Sequence, residues 1–177
     1  MTTLSWLRFE WDLGKIPAEE LDVLSPFVLR RAENDERDAV QKVVTNSFST
    51  DTGWSDIQRM FGGIIVRNVH AGFETDPPNG VVIQHGSRVI AASILNPRES
   101  AESHLTTGPC VLQEYRGRGL GTALFRASLA ALREAGLARA YGVTRDKSAA
   151  ARFVYPKFGG SGGRWAPDFE VAQKIAA

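Results

Sequence analysis

The sequence predicts an α/β (α+β) fold, a mixed and mostly antiparallel central sheet flanked by helices. Three observations lead to it. Two β candidates at residues 81–84 and 88–95 are joined through His85-Gly86-Ser87, a hairpin signal. From about residue 106 onward the order of candidate elements is β-α-β-α-β, which calls for helices on the faces of a sheet. The chain has 177 residues, 43% hydrophobic and 23% charged, enough to bury its own core without staples.

Taken in order, residues 4–13 are aromatic-rich and read as a strand or an amphipathic arm. Residues 16–21 open with Ile16-Pro17 as a short helix would. Ser25-Pro26 punctuates, so residues 1–26 are expected to form an N-terminal extension packed on a domain spanning 27–177. Residues 27–32 are a β candidate. Asn34 or Asp35 is placed to cap a helix carrying Val40, Val43, Val44 and Phe48 at helical spacing. A shorter helical pattern, Trp54, Ile57 and Phe61, is expected to stop at Gly62-Gly63. Residues 76–80 form a loop, the hairpin follows, and Asn96-Pro97 ends it. A strand over 106–112 is interrupted by Gly108-Pro109, which suggests a bulge or a local opening of the sheet, because proline donates nothing to a ladder. A strong helix over 122–135 has Gly136 where a left-handed cap belongs. A strand over 140–144, a short helix over 148–155 ended by Pro156, and a last strand over 169–175 complete the reading.

Charge and composition exclude several function classes. Lys and Arg number 21 and Asp and Glu 20, a balance of +1, so no global field draws the chain to nucleic acid or an anionic membrane. No apolar run approaches the roughly 20 residues of a membrane span. The first residues do not follow the secretory order, and a single cysteine forms no internal disulfide, so a cytoplasmic location is expected. His70, His85 and His104 lack zinc-site spacing, and no metal is expected.

The informative segment is Arg116-Gly117-Arg118-Gly119-Leu120-Gly121, running straight into the strong helix. A helix N-terminus presents unpaired N–H groups and about half a positive charge. Glycines ahead of it let the backbone close on an anion, and Arg116 and Arg118 add fork-shaped donors suited to phosphate. A Walker loop is excluded because Gly-Lys-Ser/Thr occurs nowhere. The dinucleotide fingerprint fails because its third glycine is out of register. A third device, Arg/Gln-x-x-Gly-x-Gly/Ala, is matched in full by residues 116–121.

On residues 108–122 the chain resembles the GNAT superfamily of acetyl-CoA-dependent N-acyltransferases, over roughly residue 27 to the C-terminus. A second segment agrees: Ser148, Ala151, Tyr155, Lys157 and Gly159 fall on the family spacing Asn-x-x-Ala-x-x-x-Tyr-x-Lys-x-Gly-Phe. Three positions depart from the pattern: Ser148 stands for Asn, Gly160 for Phe, and Gln113 where many members have Pro. The resemblance implies that main-chain N–H groups of Arg116, Gly117, Arg118, Gly119, Leu120, Gly121 and Thr122 bind the CoA pyrophosphate. It implies that the strand at Cys110, Val111 and Leu112 splays from its neighbour to pair with the pantetheine arm, and that Ser148 contacts that arm.

The implied reaction is direct attack by a primary amine, small molecule or peptide, on the thioester of acetyl-CoA. Tyr155 matches the family tyrosine that protonates or hydrogen-bonds the CoA sulfur, and its ordinary alternative is packing of the last helix against the sheet. A main-chain N–H near Val111 is implied to polarise the carbonyl. His104 is the candidate base, with Glu102 beside it; a surface or capping role is its ordinary alternative. Cys110 invites an acyl-cysteine scheme, against which stands a small buried cysteine. Lys147, Arg152 and Lys157 suit the 3′-phosphate of CoA or a solvated basic face. The acceptor is expected near the first two helices, residues 98–105 and residues 160–168. A homodimer is allowed by analogy. The competing class is a non-catalytic CoA- or acyl-CoA-binding module of the same fold.

Overall fold

In the computed structural model, which describes residues 5–17, 23 and 25–168, every strand pairing is antiparallel. The strands are β1 (Trp6–Asp12), β2 (Phe27–Arg31), β3 (Gly80–His85), β4 (Arg88–Ile94), β5 (Cys110–Val111), β6 (Arg139–Arg145) and β7 (Ser161–Trp165). The helices are α1 (Arg37–Thr50), α2 (Gln58–Gly72) and α3 (Leu120–Glu134). The strands form two sheets, β2-β3-β4-β5 and β6-β1-β7, rather than one continuous sheet.

β3 and β4 are buried over almost their full length, because helices cover both faces. Gly72 of α2 lies against Ile94, while Gly121 of α3 lies against Val111, the partner of Ala91. Positions 91 and 94 project to opposite faces of β4. α1 and α2 therefore cover one face and α3 the other.

Most expected elements lie where the periodicity puts them, and four differ. The 1–26 extension is not peripheral: residues 6–12 are the middle strand of β6-β1-β7, with Trp6, Phe9 and Trp11 in the core. Its aromatic pattern is a buried strand pattern, so the boundary at 26 and 27 separates no packing unit. α2 runs through Gly62-Gly63 to Gly72, because Ile65 and Val69 continue its buried stripe and the two glycines sit on its open side. Glu33 and Glu36, not Asn34 or Asp35, organise the entry to α1; the Glu33 N–H donates to the Glu36 carboxylate at 2.8 Å. The residues 148–155 helix is a π-helical turn, Ala150–Val154, closed by Tyr155 N–H on the Ala150 carbonyl at 2.8 Å. β7, with sequence Ser-Gly-Gly-Arg-Trp, carries no propensity signal and forms only by pairing with β1. The strand expected at 169–175 lies outside the described residues. Among the described residues no helix is long and apolar enough to cross a membrane.

Candidate active site

The two sheets part between β5 and β6. Leu105 still bridges Leu95, and the N–H groups of His104 and Leu105 both donate to the Tyr141 carbonyl on β6, at 2.8 and 3.3 Å. Three residues later Gly108 turns left-handed at φ +65°, and the chain moves away from β6. The Ile94 N–H is taken by the Thr107 hydroxyl at 3.0 Å instead of a strand partner. The opening suggested by Gly108-Pro109 is real and is the origin of the site.

A cavity of about 250 Å3 fills this gap. One wall is Thr106, Thr107, Pro109, Cys110 and Val111, and the facing wall is Val143 and Thr144 of β6. Leu112 N–H donates to Ile90 at 3.0 Å, so antiparallel alternation turns the N–H of Val111 away from β4, toward the gap. The Val111 carbonyl, on that same side, accepts from Arg116 Nε at 3.1 Å.

At one mouth of the cavity stands the start of α3. Gly117 and Gly119 are left-handed, at φ +75° and +77°, a conformation a side chain would strain. Gly119 occupies the N-cap position, offers no side chain to cap, and no acidic residue lies in the first turn. The first main-chain N–H to close a helical bond on Gly119 is that of Ala123. The N–H groups of Leu120, Gly121 and Thr122 precede it, as orphan donors at a positive helix end.

The arginines differ in use. Arg116 spans from the turn to α1, bonding the Ser47 carbonyl and hydroxyl at 3.3 Å and the Thr50 hydroxyl at 2.9 Å. It fixes the turn more than it offers free donors. Arg118 is exposed and leans over Tyr115. Lys157 Nζ donates to the Thr122 hydroxyl at 2.8 Å, placing a cation beside the first turn of α3, whereas Lys147 and Arg152 are exposed on the surface.

Tyr155 enters from the α3 side of the gap, packed edge-on against Trp11 and Phe9 and tilted against Phe125. It is 1% exposed, and its hydroxyl reaches Gly108 so closely that a Cβ there would fall 2.6 Å from the phenol oxygen. Burial pushes its pKa far above that of a free phenol, with Cys110 adding to the rise. Cys110 is likewise pushed up, to about 12, by burial. A thiol held so firmly protonated is a poor nucleophile, which leaves Cys110 as wall material.

Other expected site residues are placed apart. Leu112 lies in the core and Ser148 is buried, its hydroxyl sharing a hydrogen bond with Thr144 at 2.8 Å and accepting from Ala151 N–H at 3.1 Å; neither lines the gap. His104 is also outside it. Its Nδ1 accepts from the Tyr141 N–H at 2.9 Å and its Nε2 donates to the Arg98 carbonyl at 3.0 Å. Burial lowers its pKa. With both ring nitrogens engaged, His104 has no free lone pair for the base role expected of it; it is a strut between residues 98–105 and β6. Glu102 accepts from Trp165 Nε1 and Asp168 N–H, and serves β7.

Sequence reasoning missed the residues that close the gap from the α1 and α2 side. Phe48, Asp51, Trp54 and Phe61 all line the cavity. Phe48, Trp54 and Phe61 read only as helix core. Asp51 had one usable signal: in Asp51-Thr52-Gly53-Trp54 an Asp precedes a turn it can cap, and its Oδ1 accepts from Gly53 N–H at 2.9 Å.

Comparison with known proteins bears on the family and the fold. Residues 45–159 match the model of the acetyltransferase (GNAT) family. Among solved structures, a Drosophila protein superposes with a TM-score of 0.62 at 14% identity, covering 92% of this chain and 50% of its own. A GCN5-related N-acetyltransferase from Sphaerobacter thermophilus gives 0.62 at 14% identity, covering 91% and 49%. A glucosamine N-acetyltransferase region of a fungal multi-domain β-N-acetylglucosaminidase gives 0.58 at 18% identity, covering 93% and 20%. The chain thus spans about half the length of the first two. No curated protein matches the sequence.

Proposed function

The chain belongs to the acetyltransferase (GNAT) family, and from that premise we propose that it moves the acetyl group of acetyl-CoA to a primary amine by direct attack. The observation that carries this reading is the uncapped start of α3 opening onto the same gap as the hydroxyl of Tyr155. Three main-chain donors at a positive helix end suit a pyrophosphate. The extended wall at Cys110 and Val111 suits a pantetheine arm, which needs a strand-like partner.

In this scheme the Val111 N–H, turned toward the gap, stabilises the oxyanion of the thioester carbonyl as the amine adds. The C–N bond forms and the C–S bond breaks. Tyr155 hydrogen-bonds the leaving sulfur and gives it its proton, the amine nitrogen loses a proton to water, and water returns a proton to the phenolate. Burial keeps the Tyr155 phenol protonated at any physiological pH, ready to hydrogen-bond the developing thiolate, while the same rise makes full proton transfer the harder part of its role. Orientation in the gap does most of the remaining work, since the thioester is already activated.

The test is release of free CoA from acetyl-CoA across a panel of amines, with Tyr155→Phe beside the parent protein. The expected result is turnover that falls about 10²-fold in kcat for Tyr155→Phe, with acetyl-CoA affinity unchanged by calorimetry. Binding of acetyl-CoA without turnover of any amine would instead support the non-catalytic module.

A further inference from the structure

We infer that the acceptor is an arylalkylamine, a primary amine on a flat apolar skeleton, seated against Phe48, Trp54 and Phe61 with its ammonium facing Asp51. The inference rests on the acyl-transfer reading above and names its acceptor class.

The cavity is lined from both faces of the sheet. Tyr155 and the start of α3 stand on one side, and the end of α1, the following turn and α2 stand on the other. A cosubstrate held by the α3 turn leaves the α1 and α2 side for the acceptor. That side is aromatic. Phe48 and Trp54 meet edge to face at 4.7 Å between centroids, and Trp54 and Phe61 stack at 4.8 Å. Trp6 backs both Trp54 and Phe61, at 5.6 and 5.8 Å. The rings hold one another in place and offer a preformed carbon surface, which favours an apolar body and disfavours hydroxyls that would lose water without a partner.

Asp51 supplies the opposite chemistry at the edge of this wall. Its Oδ1 accepts from Gly53 N–H at 2.9 Å and its Oδ2 from Ala149 N–H at 3.1 Å, so the carboxylate is fixed from both sides of the gap. Each oxygen retains a further lone pair. Among the described residues no cationic side chain forms an ion pair with it; the nearby Arg116 is bound by Ser47 and Thr50 instead. A cavity carboxylate beside ring faces attracts an ammonium by charge and by cation–π interaction. A polycation or an amino sugar would match Asp51 but not the wall.

The experiment compares 2-phenylethylamine, spermidine and glucosamine as acceptors, and titrates each into the protein while following tryptophan fluorescence, with Trp54→Phe as control. The expected result is kcat/KM for 2-phenylethylamine at least roughly tenfold above the other two. Its binding quenches fluorescence in the parent and not in Trp54→Phe. Phe48→Ala and Asp51→Asn, both checked for folding by circular dichroism, raise its KM by about tenfold and leave acetyl-CoA affinity within about twofold. Equal or better use of spermidine or glucosamine overturns the inference. So does an unchanged KM in Phe48→Ala, or a Phe48→Ala effect confined to acyl-CoA substrates longer than acetyl. Absence of quenching while acetyl-CoA still binds refutes the amine site and spares acyl transfer. Quenching without acetyl-CoA binding does the reverse.

Discussion

At the scale of single residues, two glycines of one motif have different reasons to be glycine. Gly119 is left-handed, so any side chain there costs about 1–2 kcal/mol of backbone strain and disturbs the first turn of α3. Gly121 is helical, and a Cβ on it would meet only Val111 Cγ2, at an ordinary 3.8 Å. Gly119→Ala is therefore expected to weaken acetyl-CoA binding roughly tenfold or more by calorimetry. Gly121→Ala keeps the affinity and raises the melting temperature, since alanine is the better helix former by about 1 kcal/mol. Two buried neutral acids set a second expectation. Cys110 is raised to about 12 and Tyr155 is raised further, whereas in the unfolded chain they ionise near 9 and 10. Above pH 9 the unfolded state binds fewer protons than the folded one, so stability falls as pH rises. Each group contributes on the order of 1 kcal/mol per pH unit over the interval between its two values. Urea unfolding from pH 8 to 11 measures the slope, which Cys110→Ala should reduce throughout the range above pH 9.

Among elements, the segment leading into β5 shows how a site is made by pinning one end of a strand and releasing the other. His104 pins it, through the Tyr141 N–H and the Arg98 carbonyl, one turn of chain before Gly108 releases it. His104→Ala would remove the partner of the part-buried Tyr141 N–H, a loss of about 1 kcal/mol before any cavity is counted. A fall in melting temperature of roughly 5 °C is expected. A structural strut and a base part company in the pH–rate profile: His104→Ala is expected to leave the acidic limb where it is, and its disappearance would restore His104 as the base. Legibility follows the same division between local and distant causes. The Gly-rich turn, the Gly136 cap and the Gly108-Pro109 break are local features, and each stands where its residues put it. Gly160 was legible only as a departure from the family pattern. Its reason is distant: a Cβ there would collide with the Tyr155 carbonyl and the Trp11 indole, which donates to the Tyr155 and Lys157 carbonyls. Trp11 fills from β1 the space beside Gly160. Pairings of this kind, and the approach of Asp51 to Ala149 across 98 positions, have no trace in local spacing.

For the whole molecule, the least legible feature was the part played by residues 6–12. A strand at a chain end reads as an extension, because nothing in its own sequence names its neighbours. Here β1 joins β6 to β7 along seven and five residue pairs, and without it neither has a partner among the described strands. It also carries Trp11 and Phe9, against which Tyr155 is set. Removing residues 1–12 would therefore act on fold and chemistry together, although the family match begins only at residue 45. The four-stranded sheet would keep its helices, but the wall formed by Val143 and Thr144 would lose its support, and the gap would lose one side. The truncated chain is expected to retain helical far-ultraviolet circular dichroism, lose the near-ultraviolet signal of packed aromatic rings, and bind no acetyl-CoA. Phe9→Ala isolates the packing contribution at a cost of about 3–5 kcal/mol, read as a lower urea midpoint with acetyl-CoA binding preserved below it. A truncated protein that melts cooperatively and still binds acetyl-CoA would show that β6 and β7 close the site without their middle strand.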